Sequence, residues 1–387
     1  MFNRLVSPLK SNSFFLFGPR GTGKTTFLKC FFDQSEVEYI DLLNIEEEER
    51  FTRNPSELEQ RVLSFQSHKK WVVLDEIQRL PRLLDTVHRL IETTTMKFAL
   101  TGSSGRKLKR GAGNLLAGRA FVNHLHPLTL AELGHSVPIL ELLQWGSLPK
   151  VLQLSTRKEK QEFLRAYTHT YLHEEIAAEQ FVRKLDPFRS FLSVAAQCNG
   201  QVINAAKISR DVGADAKTVQ AYFSILEDTM VGFLLPAWHR SVRKRQATQP
   251  KFYFFDPGVK RALDFTITQE MYEGSFPFGN AFEHLVVLEF VRLNDYLRRD
   301  FRFSYLRTPA GQEIDLIIDR PGAPTALVEI KSATLITSED CATVNAFVKD
   351  LPETAAFCVS RDPHRKKIGD TLCVPYHEAA GELGLSV

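Results

Sequence analysis

Apolar residues in this chain fall into short blocks separated by polar or glycine-rich stretches. Phe14 to Phe17 and Trp71 to Leu74 are continuous and brief, the pattern of strands buried on both faces of a parallel sheet. Lys97 to Thr101 and Ala120 to Val122 read as further short strands. After Gly146 the period changes: Phe163, Ala166, Tyr167, Thr170 and Tyr171 recur at helical spacing, a stripe that reads as packing. Three helices are predicted next, over Pro187 to Cys198, Ala205 to Val212 and Ala216 to Thr229, with Gly213-Ala214-Asp215 as the turn before the third. That is helix-turn-helix spacing. Phe233 to Trp238 and Lys251 to Phe255 read as strands. A helix capped by Asn280 follows, with Phe282, Leu285, Val286, Val291 and Leu293 on its buried face. Then come a strand from Glu313 to Ile318, a turn at Asp319-Arg320-Pro321-Gly322, and a partner strand from Leu327 to Lys331. The order predicts an α/β protein in four segments: a parallel sheet with flanking helices over 1–135, a helical connector over 136–183, a winged-helix-like segment over 184–250, and a second α/β domain over 251–387.

Composition narrows the class without changing that outline. The chain has 387 residues, 43% apolar and 25% charged, which excludes disorder, coiled coil and collagen and suits two or three domains of ~150 residues. Its longest apolar runs are four to six residues, against the ~18 to 20 that cross a bilayer, so no membrane span is expected. Arg4, Pro8 and Lys10 precede a strand and do not read as a secretion signal, so a cytoplasmic location is expected. Five cysteines (Cys30, Cys198, Cys341, Cys358, Cys373) lie far apart with no metal or redox spacing, and neither zinc nor disulfides are expected. A net charge of +3 does not argue for nucleic acid by itself. Between Pro236 and Arg261, however, seven Lys or Arg stand against one Asp.

The first candidate chemistry follows the first strand. Gly18-Pro19-Arg20-Gly21-Thr22-Gly23-Lys24-Thr25-Thr26 has the eight-position spacing of a phosphate-binding P-loop, with a strand before it and a helix after it. Its glycines let the backbone wrap phosphate oxygens, amides at the helix start face the anion, Lys24 spans the outer phosphates, and the Thr25 hydroxyl can ligate Mg²⁺. The Trp71 strand ends in Asp75-Glu76, a first carboxylate to hold Mg²⁺ and a second to polarise the attacking water, which points to ATP hydrolysis rather than phosphotransfer. Thr101 and Ser103 are candidate sensors of the terminal phosphate, or simply a strand-end turn. Arg119 is a candidate arginine finger in cis or in trans, in competition with Arg106 and Arg110 and with ordinary ion pairing.

The middle segment offers a nucleic-acid surface. Asp215 is a plausible N-cap for the third helix, whose first turn exposes Lys217, Thr218 and Gln220, where winged-helix proteins contact base edges. Arg240, Arg243, Lys244 and Arg245 fall where a wing would lie and can neutralise DNA phosphates. The same fold also serves as a protein-contact module or as a lid over an ATPase.

The final domain offers a second metal site. Glu329 and Lys331 share a strand face, and hairpin pairing brings Asp315 alongside them, the constellation of the restriction-endonuclease-like fold. Asp315 and Glu329 can hold Mg²⁺, or Mn²⁺ in its place, Lys331 can position the attacking water, and Glu283 can add a ligand. The competing reading is a plain cross-strand ion pair.

Gly18 to Thr25, Leu74-Asp75-Glu76-Ile77-Gln78-Arg79-Leu80-Pro81, Leu100-Thr101-Gly102-Ser103-Ser104, Leu116-Ala117-Gly118-Arg119 and Pro127-Leu128-Thr129-Leu130-Ala131-Glu132-Leu133 together resemble the prokaryotic AAA-type ATPase family, whose core is followed by a C-terminal module of unassigned function. The resemblance continues through Lys251-Phe252-Tyr253-Phe254-Phe255-Asp256-Pro257-Gly258, Gly311-Gln312-Glu313-Ile314-Asp315 and Glu329-Ile330-Lys331-Ser332, and departs at Gly146-Ser147-Leu148-Pro149, where the family more often shows a second glycine. It implies an AAA-type P-loop sheet, a winged-helix middle and a restriction-endonuclease-like end in a bacterial or archaeal ATPase. The leading expectation is an ATPase whose nucleotide state controls a DNA-acting nuclease-like arm, in repair, mobile-element control or defence. Two alternatives stay open: a regulatory switch that binds a protein partner and cuts nothing, and an ATP-responsive DNA-binding regulator. An arginine finger in trans would make the protein an oligomer.

Overall fold

Strands that are apolar at every position need cover on both faces, and the N-terminal sheet gets it from helices on either side. In the computed structural model, which describes residues 2–65, 68–103, 116, 118–134, 136–172, 185–239 and 249–387, five strands form this sheet: β1 (Ser13–Phe17), β2 (Val37–Asp41), β3 (Trp71–Asp75), β4 (Lys97–Gly102) and β5 (Ala120–His124). They are all parallel, in the order β2-β3-β4-β1-β5. Helices α1 (Lys24–Phe31), α2 (Ile45–Arg53), α3 (Glu57–Ser64) and α4 (Leu83–Thr93) flank it. Phe15, Leu74, Phe98 and Leu100 of the strands pack with Phe51, Leu58 and Val87 of the helices in one apolar core. β4 lies directly beside β1 with Thr101 opposite Leu16, so the ends of β1, β3 and β4 converge at one edge.

The chain packs as two compact units, Met1–Pro127 with Ile225–Val231, and Leu128–Ser224 with Gly232–Val387. The second opens with short helices, α5 (Leu130–Leu133), α6 (Ile139–Trp145), α7 (Pro149–Gln153) and α8 (Arg157–Ala166). Thr129 with Glu132 and Thr156 with Glu159 form reciprocal capping boxes at the starts of α5 and α8. After α8 the backbone widens into a π-turn over Tyr167–Leu172. Of the expected stripe, Tyr167 and Tyr171 are buried, but Ala166, at the end of α8, and Thr170, within the π-turn, face solvent.

Helices α9 (Leu185–Gln197), α10 (Ala205–Val212) and α11 (Ala216–Asp228) match the predicted trio to within about two residues at each end. Strands β6 (Gly232–Leu235) and β7 (Lys251–Phe254) then pair antiparallel. Phe191 of α9, Phe223 of α11 and Phe252 of β7 stack in sequence, which seats the hairpin on the helices. A domain boundary at residue 250 therefore divides two strands that hydrogen-bond to each other.

Helix α12 (Pro257–Leu263) leads to α13 (Phe276–Leu297), the longest described helix. Its cap is Ser275, whose Oγ accepts from the Phe278 amide at 3.3 Å; Asn280 lies inside the helix, because Pro277 suits the first turn. The C-terminal sheet is mixed, in the order β12-β13-β11-β10-β9-β8, built from β8 (Arg302–Arg307), β9 (Glu313–Asp319), β10 (Thr325–Lys331), β11 (Thr354–Ser360), β12 (Lys366–Ile368) and β13 (Thr371–Pro375). Helix α14 (Ala342–Asp350) covers one face. Under it the sulfurs of Cys341, Cys358 and Cys373 lie within 4.8 Å of one another, embedded among Ile317, Leu327 and Val344. Sequence spacing hid this cluster because the three residues come from a helix cap and two strands. It packs as buried free thiols.

Candidate functional site

Two sites emerge, one in each unit. In the first, Gly18 follows β1 so closely under Leu125 that a Cβ there would stand 2.3 Å from the Leu125 carbonyl oxygen, which restricts the position to glycine. Gly23, at φ 94°, turns the loop into α1 in the left-handed region that glycine enters without strain. Arg4 ties the loop down by donating to the Thr22 carbonyl at 2.7 Å and the His126 carbonyl at 2.6 Å. Lys24 is buried and folds back onto its own loop, donating to the carbonyls of Gly18 (2.7 Å) and Pro19 (3.3 Å). Arg20, Gly21, Thr25 and Thr26 are exposed around the mouth.

Asp75 ends β3 at that mouth, 1% exposed, and accepts three hydroxyl hydrogen bonds: from Thr25 at 2.7 Å and from Tyr39 and Thr101. Burial and the adjacent Asp75 charge push the Tyr39 phenol well above its ordinary value, so it stays a donor. Glu76 sits at φ 62°, a strained left-handed conformation for a non-glycine residue, held because its amide donates to Thr101 Oγ1 at 2.9 Å. Gln78 donates to the Glu76 carboxylate and to Ser103 Oγ (3.1 Å), while its own Oε1 is buried with no partner. Thr101 thus faces Asp75 and Ser103 faces Gln78. A hydroxyl and a carboxylate side by side next to the P-loop lysine are a hard-oxygen donor set, which fits Mg²⁺.

Arg119 is not brought to this loop. Its strand β5 runs parallel to β1 with Ala120 opposite Ser13, so Arg119 stands at the opposite end of the strands from Gly18, roughly 20 Å away along six strand residues. There its guanidinium bonds to Glu92. Arg106 and Arg110 lie outside the described residues.

In the second unit, the β9–β10 pairing places Leu316 opposite Val328 and so sets Asp315 beside Glu329. Asp315 Oδ2 accepts from the Ile330 amide at 2.8 Å. Lys331 donates to Glu329 Oε1 at 2.7 Å, while Glu329 Oε2 is buried with no partner. Burial, then the charges of Glu283 and Glu329, push Asp315 well above the usual carboxylate range. Burial also raises Glu329, against the pull of Lys331. Burial alone would lower the Lys331 ammonium, but Glu329 and Asp315 outweigh it and hold it up. A buried carboxylate oxygen without a donor, beside a second carboxyl raised by like charge, fits a divalent cation.

Glu283 reaches this cluster from α13, and three residues not singled out in the sequence accompany it. Tyr253 donates to Glu283 Oε1 at 2.6 Å; Lys251 lies 3.6 Å from that oxygen and 2.5 Å from Glu313 Oε1. The signal for Glu313 was its place two residues before Asp315, on the same strand face. Lys251 and Tyr253 share a face of β7, but nothing local in the sequence links β7 to β9.

Of the candidate DNA contacts, Lys217 and Gln220 are exposed on α11, and the Thr218 hydroxyl is bonded to Asp215 at 2.6 Å. Arg240, Arg243, Lys244 and Arg245 lie outside the described residues. Among the described residues, no helix is long and apolar enough to cross a membrane.

Residues 10–134 match the AAA domain family. Residues 138–270 and 278–379 match two domains of unknown function, DUF8612 and DUF4143. The chain is 25% identical over 359 residues to an uncharacterized protein of Mycobacterium tuberculosis, covering 92% of this chain and 78% of the relative. It is 21% identical over 300 residues to an uncharacterized protein of Haemophilus influenzae, covering 71% and 73%. Among solved structures, the ORC1 protein of Aeropyrum pernix in complex with DNA aligns over 66% of this chain and 87% of that one at 14% identity, with a TM-score of 0.26, too low to mark a shared overall fold. With its P-loop, its five-stranded parallel sheet and its family matches, the chain carries an AAA-type P-loop domain over residues 10–134 and a DUF4143 domain over residues 278–379.

Proposed function

We propose that the protein hydrolyses ATP with Mg²⁺ at the P-loop and uses the nucleotide state to govern a DNA-binding, metal-dependent nuclease site at Glu283, Asp315, Glu329 and Lys331. In the first site Lys24 exchanges its loop carbonyls for the outer phosphates, Thr25 and Asp75 hold the Mg²⁺, and Glu76 orients the attacking water while Ser103 and Gln78 fix its carboxylate. The Mg²⁺ supplies charge neutralisation at the phosphates. In the second, Asp315 and Glu329 would hold Mg²⁺ or Mn²⁺, whose charge would polarise the scissile phosphate, and Lys331 would position the nucleophilic water. Lys217 and Gln220, with Arg240, Arg243, Lys244 and Arg245, contact the DNA, chiefly its phosphates. Arg119, if it acts as a finger, does so in a neighbouring subunit of an oligomer.

The observation that carries the nuclease reading is the buried, unpartnered Glu329 Oε2 at the meeting point of three other carboxyl groups. A structural ion pair gains nothing from such an oxygen, whose cost without a donor is ~1–3 kcal/mol. The test is DNA cleavage by the purified chain with Mg²⁺ or Mn²⁺, with and without ATP, beside Lys24→Ala, Glu76→Gln and Asp315→Ala. Cleavage that disappears with Asp315→Ala and responds to the P-loop changes is expected. ATP hydrolysis with no cleavage under either metal would replace this reading with a switch that binds a partner and cuts nothing.

A further inference from the structure

Resting on the nuclease reading of the carboxylate site, we infer that Lys251 fills the position a second divalent ion would take, so that the site holds one metal ion rather than two. Phosphoryl-transfer sites with two metals place them about 3.5–4 Å apart, each between its own pair of oxygens. Glu283 acts on Asp315 as well as Glu329 does, so the four acids form one cluster, and it is their contacts to cations that divide them into two groups. Asp315 and Glu329 form one, and it contains the buried Glu329 oxygen that lacks a partner. Glu283 and Glu313 form the other, and an ammonium already occupies it: Lys251 Nζ lies 2.5 Å from Glu313 Oε1 and 3.6 Å from Glu283 Oε1.

The neighbours of Lys251 show a built position rather than a surface lysine that has drifted inward. Its side chain is 4% exposed, and its Nζ lies 5.4 Å from the centre of the Tyr305 ring. Two residues along the same strand face, Tyr253 donates to the Glu283 oxygen that faces Lys251, at 2.6 Å. Leu235 opposite Lys251, and the Val202 bridge to it, fix that strand in register.

Charge agrees with position. With a cation bound and all four acids ionised, Glu283, Glu313, Asp315 and Glu329 would carry four negative charges against two positive ones on Lys251 and Lys331, and the remainder of two equals one divalent cation. Arg307 also approaches Glu313, at 3.7 Å, but its side chain is 54% exposed and water screens it. A second divalent ion beside Lys251, whose side chain is 4% exposed, would add like charge where little water reaches to screen it. Lys251 is therefore a positioning residue: it holds Glu283 and Glu313 and fixes the metal count.

The experiment counts Mn²⁺ bound to the full-length chain without nucleotide, by electron paramagnetic resonance of the free ion, taking the excess over Asp315→Ala so that ions near Thr25 and Asp75 cancel. One ion per chain is expected in the wild type and in Lys251→Arg, which keeps the charge, and a count rising toward two in Lys251→Gln. Two ions in the wild type would overturn the inference and leave the nuclease reading standing. A count unchanged by Lys251→Gln would also overturn it. No excess over Asp315→Ala would overturn the metal-site reading itself and this inference with it. If Lys251→Gln does not fold, the wild-type count of one or two still decides.

Discussion

The P-loop site and the carboxylate site both set acids beside a lysine, yet they handle those acids in opposite ways. At the first, Asp75 is buried but fully served, with Thr25, Tyr39 and Thr101 all donating to it. At the second, the acids crowd one another; Glu329 keeps an oxygen with no donor, and burial with like charge raises Asp315. The difference teaches what each site costs the fold. Asp75 belongs to a satisfied hydrogen-bond network that is stable without an ion, whereas the Asp315–Glu329 pair is strained electrostatically until a cation arrives.

The sharpest way to break the comparison is to disable each site and watch the other. Lys24→Ala is expected to lower ATP hydrolysis by about a thousandfold, since it removes the charged donor for the outer phosphates, while Mn²⁺ binding at the second site stays as in the wild type. A phosphate-release assay checks the first half and metal titration the second. Hydrolysis within tenfold of wild type would show that Lys24 serves only its own loop carbonyls. Asp315→Ala is expected to lower DNA cleavage by about a hundredfold or more with ATP hydrolysis unchanged, read on labelled duplex. Residual cleavage equal to wild type would mark a contaminating nuclease.

How far each site could be read from the sequence follows from the same contrast. The P-loop is contiguous, so spacing alone placed Gly18 to Thr26, and the end of a buried strand placed Asp75 and Glu76 at the same sheet edge. The helix trio and the Glu313 to Lys331 hairpin were equally legible, because local period and turn residues specify them. What stayed hidden lies in tertiary pairing. Tyr39 reaches Asp75 only because β2 lies beside β3, and Lys251 and Tyr253 enter the acid cluster from a strand about sixty residues before β9. The cysteine trio and the Arg119–Glu92 pair were missed for the same reason, whereas the Ser275 cap, two residues before Pro277, was a local signal that was passed over. Spacing in the sequence carries no information about which strand a residue will meet.

A smaller effect separates the two acids by stability. Asp75→Asn should cost ~1–3 kcal/mol in urea unfolding without metal, because a carboxylate that accepts three hydroxyls becomes an amide with one acceptor oxygen. Glu329→Gln should cost nothing or stabilise, since it removes a buried charge whose Oε2 has no partner. The pH dependence carries the same sign. Asp315 and Glu329 are raised in the folded state, so the folded chain binds protons that the unfolded chain has released. The stability from these protons is fully present below the ordinary carboxylate range and is lost as pH rises through the folded-state values. Metal-free melting temperature should therefore fall across that rise, less so in Glu329→Gln, and saturating Mn²⁺ should restore it at the high end. A rise in metal-free stability over that interval would reverse the assignment of which site is strained.

The finest distinction tests one hydroxyl. Tyr39 donates to Asp75 with a phenol that burial keeps protonated, and Thr25 and Thr101 share the same carboxylate. Tyr39→Phe removes that donor and leaves the ring, so the aspartate loses orientation but not burial. About 1 kcal/mol, or roughly a fivefold weakening of Mg²⁺-dependent ATP binding, is expected from one neutral hydrogen bond to a charged group that keeps two others. Binding of ATP without Mg²⁺ should not change, because Tyr39 acts through Asp75 and not on the phosphates. Calorimetric titrations with and without Mg²⁺ separate the two: an equal loss in both would place Tyr39 on the nucleotide itself, and a loss confined to the Mg²⁺ titration would fix Asp75 as the residue through which it acts.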